Sequence, residues 1–309
     1  MKPLRSEEIR GNWATVLLAW NGDDSLDMGR VADEIDVLLS MGVDGIYVFG
    51  SASEFHCVSD DEFLRVSECL AERCEAAAMP FQIGVSHMSA TISLGRLEAI
   101  RHLAPGAIQV ALPDWFAPSD EEIDNFFGRM SEAAGDIGLV LYNPPHAKRK
   151  LNCEELGRLA AKFPGLVGVK LAGGDGDWYG AMKKHAGGLS VFVPGHHLAT
   201  GMARGAHGAY SNVACLNPKA AQQWTHLMTT DSAAALELEG RIRGFIVDHM
   251  VPFIVEGHYC DAACDRLLAL IGGWADVGER MRWPYRAIPV GEVPRLRGIA
   301  REVLPEFFG

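Results

Sequence analysis

No apolar stretch of this chain approaches the ~18 or more residues that a membrane-spanning helix needs, so a bilayer is not an expected partner. Basic residues are scarce. The 28 Lys and Arg stand against 40 Asp and Glu, a net charge of -12, and the one basic run is the short Lys148-Arg149-Lys150. That balance argues against nucleic acid. Nothing apolar follows Met1-Lys2-Pro3-Leu4-Arg5, which predicts no secretory leader. The seven cysteines, Cys57, Cys69, Cys74, Cys153, Cys215, Cys260 and Cys264, are dispersed and odd in number. A disulfide framework is therefore not expected, and reduced thiols in a cytoplasmic protein are. Cys260 and Cys264 can share a helix face, but without a second ligand pair they read as core rather than zinc ligands. His56, His87, His146, His196 and His197 show no HxH or HxxxH spacing, so they read as polar lining, with no metal and no cofactor expected.

What the chain does have is apolar material in short pieces. Of its 309 residues, 48% are hydrophobic and 22% charged, which suits one large domain or a barrel with an appendage. Strands are predicted at 13–20, 45–49, 81–85, 107–112, 138–142, 166–171, 189–193 and 206–210. Helical patterns lie between them. In 28–41, Val31, Ile35, Leu38 and Leu39 recur at helical spacing. Ser59 with Glu62, and Ser119 with Glu122, have the spacing of a capping box. Further helices are expected at 89–103, 119–134 and 152–162.

Eight strand–helix units of ~20–35 residues predict an α/β fold, a parallel sheet closed as a (β/α)8 TIM barrel. An open doubly wound sheet is the alternative; the regular eightfold repeat favours closure. After Pro218 the strand pattern stops, and 220–228, 232–254, 262–271 and 294–304 read as helices. The expected division is a barrel over 1–217 and a C-terminal helical region over 218–309.

In such a barrel the chemistry sits at the C-terminal ends of the strands. Lys170 ends the apolar run Leu166-Val167-Gly168-Val169-Lys170. Burial there disfavours an ammonium, and a neutral amine in an apolar pocket can condense with a carbonyl to a Schiff base. A lysine that snorkels to water is the alternative. Tyr142 ends the neighbouring strand, within reach of the same small ligand, and a phenol beside an imine can shuttle protons. Gly50-Ser51-Ala52-Ser53 is a turn of small residues, whose amides and hydroxyl can approach an anion such as a carboxylate. It also reads as an ordinary tight turn, with Glu54 capping the segment that follows.

Together, Gly42-Val43-Asp44-Gly45, Gly50-Ser51-Ala52-Ser53-Glu54-Phe55, Leu141-Tyr142-Asn143-Pro144-Pro145 and Gly168-Val169-Lys170 resemble the dihydrodipicolinate synthase and N-acetylneuraminate lyase superfamily of pyruvate-type Schiff-base aldolases. The resemblance runs from about Gly11 to Asn217, and the helical tail with Leu304-Pro305-Glu306-Phe307-Phe308 also fits. It implies that Lys170 forms the imine with a 2-oxo acid and that Tyr142 is the proton shuttle. It implies that Ser51, with the amides of Ser51 and Ala52, holds the substrate carboxylate, and that Gly195 and Tyr210 line the pocket. It implies a homotetramer or homodimer. Three positions depart from the synthases. Ala52 lacks a relay hydroxyl. Trp115 stands near the position of the relay tyrosine that a neighbouring subunit supplies. Ala147 stands near the arginine for the aldehyde substrate's carboxylate, with Lys148 or Arg149 as replacements.

The expectation is thus a Schiff-base lyase acting on pyruvate or another small 2-oxo acid, with Lys170 and Tyr142 catalytic. Ser51, Ala52, Gly195, Tyr210 and Trp115 are expected to bind substrate, while Phe116, His87 and His196 shape the second-substrate side. A 2-keto-3-deoxy sugar acid dehydratase using the same lysine, and a non-catalytic pyruvate-binding regulator, are the other readings.

Overall fold

All eight strands form, each parallel to its neighbours, in a computed structural model that describes residues 1–309. The order along the chain is β1 Gly11–Thr15, α1 Met28–Ser40, β2 Gly45–Val48, α2 Asp60–Ala76, β3 Phe81–Gly84 and α3 Ala90–Ile100. Next come β4 Ala107–Ala111, α4 Asp120–Ala134, β5 Gly138–Tyr142, α5 Cys153–Lys162, β6 Leu166–Lys170 and α6 Gly176–Ala186. Then β7 Ser190–Phe192, α7 Leu198–Arg204 and β8 Gly208–Tyr210 complete the repeat. Because β8 pairs with β1, the sheet closes and no open edge remains. The fold is the (β/α)8 barrel, followed by α8 Asn212–Leu216, α9 Pro218–Thr230, α10 Ser232–His249, α11 Val251–Val255, α12 Asp261–Gly272 and α13 Glu292–Val303.

Local sequence explains where the elements start. Ser59 with Glu62, Ser119 with Glu122, and Asn152 with Glu155 form reciprocal capping boxes at α2, α4 and α5. Gly84 ends β3 where a Cβ would lie 2.4 Å from the Phe49 carbonyl oxygen, so only glycine lets the two backbones approach. The stretch predicted as one helix over 232–254 breaks at Met250, and Pro252, which has no amide hydrogen to donate, falls in the first turn of α11.

The first strand is shorter than the apolar run 13–20 suggests, since it stops at Thr15. Val16 to Trp20 is buried for another reason. Leu17 packs with Ala52, Ala269 and Val277, and the Leu18 carbonyl accepts a hydrogen bond from Arg266 of α12 at 2.7 Å. Leu17 is covered by a C-terminal helix, while Val16, Leu18 and Trp20 join the main core.

Inside the barrel, aromatic rings form a floor. Tyr210 lies 4.5 Å from Tyr47, 4.7 Å from Phe192 and 6.2 Å from Trp13, centroid to centroid. Such tilted and edge-on contacts add about 0.5–1.5 kcal/mol each beyond area burial. The interior is therefore a packed core, and anything that binds at the C-terminal end rests on these rings.

Candidate active site

Register decides which side chains meet. Leu139 pairs with Leu166 but Val140 pairs with Gly168, so β6 carries one extra residue, Val167. The shift brings Tyr142 directly opposite Lys170. Directly paired residues on neighbouring strands point to the same face, and these two point into the barrel mouth. Without the bulge, Lys170 would stand opposite Asn143.

Lys170 Nζ lies 4.3 Å from the Tyr142 ring centroid, 5.5 Å from that of Tyr210 and 5.8 Å from that of Tyr47. All four residues line a cavity of about 330 Å³ with Ser51 and Ala52. Burial lowers the Lys170 pKa, and Asp265, Asp261 and Cys215 oppose it. The lowered value means a larger share of neutral, nucleophilic amine near neutrality. Burial raises Tyr142, with the Ser51 side chain opposing, so its phenol stays protonated and able to donate. Tyr210 is also pushed up, and its hydroxyl donates to Gln82 Oε1.

The Gly50–Ser53 turn faces the same cavity. Ser53 N and Glu54 N close it on Gly50 O (3.1 Å) and Ser51 O (2.9 Å), while the amides of Ser51 and Ala52 donate to no backbone carbonyl. Ser53 Oγ donates to Val16 O at 2.7 Å and meets Thr15 Oγ1 at 3.0 Å, which pins the turn to β1. Glu54, expected to cap the next segment, does not. It sits in the left-handed region (φ 52°) with no cap bond. Its carboxylate instead accepts from Trp20 Nε1 (2.9 Å), Arg266 Nη2 (2.8 Å) and the Arg282 amide (2.9 Å). The ion pair with Arg266 is buried, at 0% and 2% side-chain exposure.

After β7, Pro194 and His196 line the cavity and Gly195 lies buried behind them. A Cβ on Gly195 would fall 2.5 Å from Ser211 Oγ and 2.9 Å from Asn212 Oδ1. His196 Nδ1 lies 2.9 Å from Asn212 Nδ2, and burial with His197 beside it drops its pKa to about 4. It is a neutral polar group at neutral pH.

Trp115 does not reach the lysine cavity. It is 63% exposed and lines a second cavity of about 510 Å³ with Ser86, His87, Lys148 and Arg149. Tyr142, Ser51 and His146 border both cavities. Ser86 Oγ, buried and without a partner, is open to a ligand there. The basic groups are already engaged. Lys148 Nζ donates to Trp115 O at 2.7 Å, and Arg149 binds Asp120 (2.7 Å) and Glu155 (2.6 Å). A larger apolar groove of about 570 Å³ between α3 and α4 is lined by Met88, Trp115 and Phe116 but by neither Lys170 nor Tyr142.

Sequence reasoning missed Tyr47, Thr15, Asp261 and Asp265, which share the lysine cavity. Tyr47 reads as core in an apolar strand. The acidic pair had a signal: two aspartates four apart in the mostly apolar helix Asp261-Ala262-Ala263-Cys264-Asp265-Arg266-Leu267-Leu268.

Known proteins resemble this arrangement. The model of the "Dihydrodipicolinate synthetase family" matches residues 8–254. A 4-hydroxy-tetrahydrodipicolinate synthase of Neisseria gonorrhoeae is 27% identical over 292 residues, 94% of this chain and 97% of that protein. The synthase of Thermomicrobium roseum is 24% identical over 237 residues, 76% and 78% of the two chains. Among solved structures, a sialic acid aldolase of Ruminococcus gnavus superposes with a TM-score of 0.84 at 18% identity, covering 97% of this chain and 98% of its own. YagE, an E. coli prophage protein of the dihydrodipicolinic acid synthase family solved in complex with pyruvate, gives 0.82 at 17% identity, covering 96% and 98%.

Proposed function

Because this chain belongs to the dihydrodipicolinate synthetase family, whose members are lyases of the class I aldolase type, we propose that it is a Schiff-base lyase acting on pyruvate or another small 2-oxo acid. The Lys170 amine attacks the C2 carbonyl. The carbinolamine loses water with a proton from the Tyr142 phenol, and the imine then acts as an electron sink for making or breaking a bond at C3. Ser51 and the unengaged amides of Ser51 and Ala52 hold the 2-oxo acid's carboxylate, with Gly195 and Tyr210 shaping the pocket and Trp115 the second-substrate side. The observation that carries this reading is the lysine amine 4.3 Å from the Tyr142 ring in a barrel-end cavity. The barrel over 1–217 would then supply the chemistry and the helices of 218–309 the wall facing it, in a cytoplasmic homotetramer or homodimer.

Borohydride added with pyruvate should fix a reduced adduct on Lys170, read by peptide mass spectrometry. Turnover with an unmodified Lys170 would overturn the proposal.

Tyr142→Phe removes one hydroxyl and little volume. A general acid–base group contributes ~10²–10⁴-fold, so kcat should fall by that factor, about 3–5 kcal/mol of barrier at ~1.36 kcal/mol per tenfold. Imine trapping should slow with it. Unchanged turnover with a lowered melting temperature would make Tyr142 a rim residue instead.

The second substrate is a different matter. Ala52 has no hydroxyl, and Lys148 and Arg149 are both engaged. Condensation of pyruvate with aspartate semialdehyde should therefore stay well below a kcat/KM of about 10⁴ M⁻¹s⁻¹, the low end for ordinary enzymes. An efficient rate would show that the engaged basic groups swing free. The same observation keeps the dehydratase of 2-keto-3-deoxy sugar acids as the second reading, since it needs no second carboxylate. Screening turnover on both substrate types, aldol and dehydration, separates the two from each other and from a regulator without turnover.

A further inference from the structure

One hydroxyl on the wall of the second cavity has nothing in the protein to bond to. Ser86 is 3% exposed, and its buried Oγ has no hydrogen-bond partner. A buried hydroxyl without a partner is costly, and in a native structure it marks a place that another molecule completes.

Register fixes where that hydroxyl stands. Gly84 of β3 pairs with Gln109 of β4, and the ladder runs one step further, with Val85 N donating to Gln109 O at 2.9 Å. The next residue, Ser86, comes level with Ala111. Ala111 pairs with Tyr142 of β5, which stands opposite Lys170. Ser86, Ala111 and Tyr142 all line the second cavity. Two strand spacings put roughly 9–10 Å between the backbones of Ser86 and Tyr142, and the residue between them offers only a methyl. Tyr142 and Ser51 also border the lysine cavity. A 2-oxo acid held on Lys170 and longer than pyruvate therefore extends past Tyr142 into the space that Ser86 lines.

We propose that Ser86 is a specificity residue for the aldehyde half of the substrate, donating a hydrogen bond to the oxygen that becomes the C4 hydroxyl of the aldol. The proposal rests on the Schiff-base reading. In condensation, C3 of the enamine bonds to the aldehyde carbon, the carbonyl π pair moves to oxygen, and the enamine nitrogen becomes an iminium. The oxygen takes its proton from the Tyr142 phenol, and hydrolysis of the iminium returns one to the phenolate. Ser86 keeps its own proton throughout, and cleavage runs the same steps in reverse. The neighbouring groups say what the aldehyde carries. Lys148 and Arg149 are engaged with Trp115 O, Asp120 and Glu155. His87 Nδ1 accepts from Ser89 N at 2.9 Å, which leaves the proton of the neutral ring on Nε2, and burial lowers its pKa. Ser86 and His87 are thus neutral donors beside the Trp115 ring, and they fit an uncharged aldehyde rather than one bearing a carboxylate.

The test compares three acids trapped on Lys170 by borohydride, each adduct counted by its mass. Pyruvate stops short of Ser86, 2-oxopentanoate reaches it with carbon, and 4-hydroxy-2-oxopentanoate, taken as both enantiomers, reaches it with oxygen. In the native protein the better hydroxy acid should half-saturate trapping at about a tenth of the concentration that 2-oxopentanoate needs, the ordinary effect of completing one buried hydrogen bond. In Ser86→Ala that preference should shrink to about twofold or less, while half-saturation by pyruvate stays where it was. The melting temperature should not fall, because no bond within the protein is lost. Ser86→Thr keeps the hydroxyl and should keep the preference, and Ser86→Gly repeats the test if the alanine variant fails to fold. A native protein that does not prefer the hydroxy acid, or a Ser86→Ala protein that prefers it as strongly as the native one, would overturn the assignment and leave the Schiff base standing. No Lys170 adduct from any of the three acids in the native protein would remove the Schiff base itself.

Discussion

Lys170→Ala should yield a protein that folds, resists heat better than the native one, and does nothing. On the proposed Schiff-base chemistry, nothing substitutes for the missing amine. Enzymes accelerate their reactions by ~10⁶-fold or more, and loss of the nucleophile should remove at least ~10⁴-fold of that. The stability expectation follows from the lowered pKa. A buried lysine binds its proton less readily in the folded chain than in the unfolded one. The unfolded chain therefore holds more protons, and native stability rises with pH through the interval between the lowered folded value and the ordinary unfolded one. Below that interval the native lysine is a destabilising burial. Alanine removes the term, so the variant's advantage in melting temperature should be largest at neutral and lower pH and shrink at alkaline pH. A variant that melts lower than native at neutrality, or that retains more than ~1% of turnover, contradicts a buried amine as the nucleophile.

Glu54→Ala should be the most damaging single change outside the lysine cavity. It strips the partner from Arg266, whose side chain is only 2% exposed, and orphans Trp20 Nε1 and the Arg282 amide. Breaking a buried pair by removing one partner costs about 3–5 kcal/mol. With unfolding entropy near ~2.1 cal/mol/K per residue, that corresponds to roughly 5–8 °C in melting temperature for a chain of this size. The turn bearing Ser51 keeps its Ser53 bonds to β1 but loses the anchor on its C-terminal side, so KM for the 2-oxo acid should rise more than kcat falls. Replacing both charges, Glu54→Met with Arg266→Met, should cost less than the sum of the two single changes. A Glu54→Ala protein melting within ~2 °C of native would mean that water enters and relieves the pair.

The barrel and the meeting of Lys170 with Tyr142 are legible in the residues because a parallel sheet is written in local terms. Apolar runs, capping serines and glutamates, and a lysine and a tyrosine ending adjacent strands need no knowledge of distant chain. What is illegible depends on distant chain. Val16 to Trp20 looks like sheet because burial under a helix and burial in a barrel use the same residues. Glu54 looks like a cap because Arg266, its partner, lies 212 positions away. Tyr47 alternates inward like any core residue, and only the ring-to-amine distance marks it. Asp265 and Arg266 are adjacent charges in an apolar helix, and sequence does not say that one faces a cavity and the other a buried carboxylate. The bulge at Val167 is equally silent, although it aligns Lys170 with Tyr142.

The contact between Glu54 and Arg266 also sets a clock. A ribosome adds ~5–20 residues per second, so the 212 residues between the partners take roughly 10–40 s to appear. Through that time the loop after β2 has emerged without the groups that fix it, and the buried glutamate has no cation to meet. Closing so long a loop is a late and slow event in any folding route. The nascent barrel must wait, with the 16–20 segment uncovered, for α12 to arrive. A ribosome-stalled chain ending shortly before Asp261 should accordingly bind a hydrophobic dye and a holdase chaperone, and one extended past Arg282 should release both.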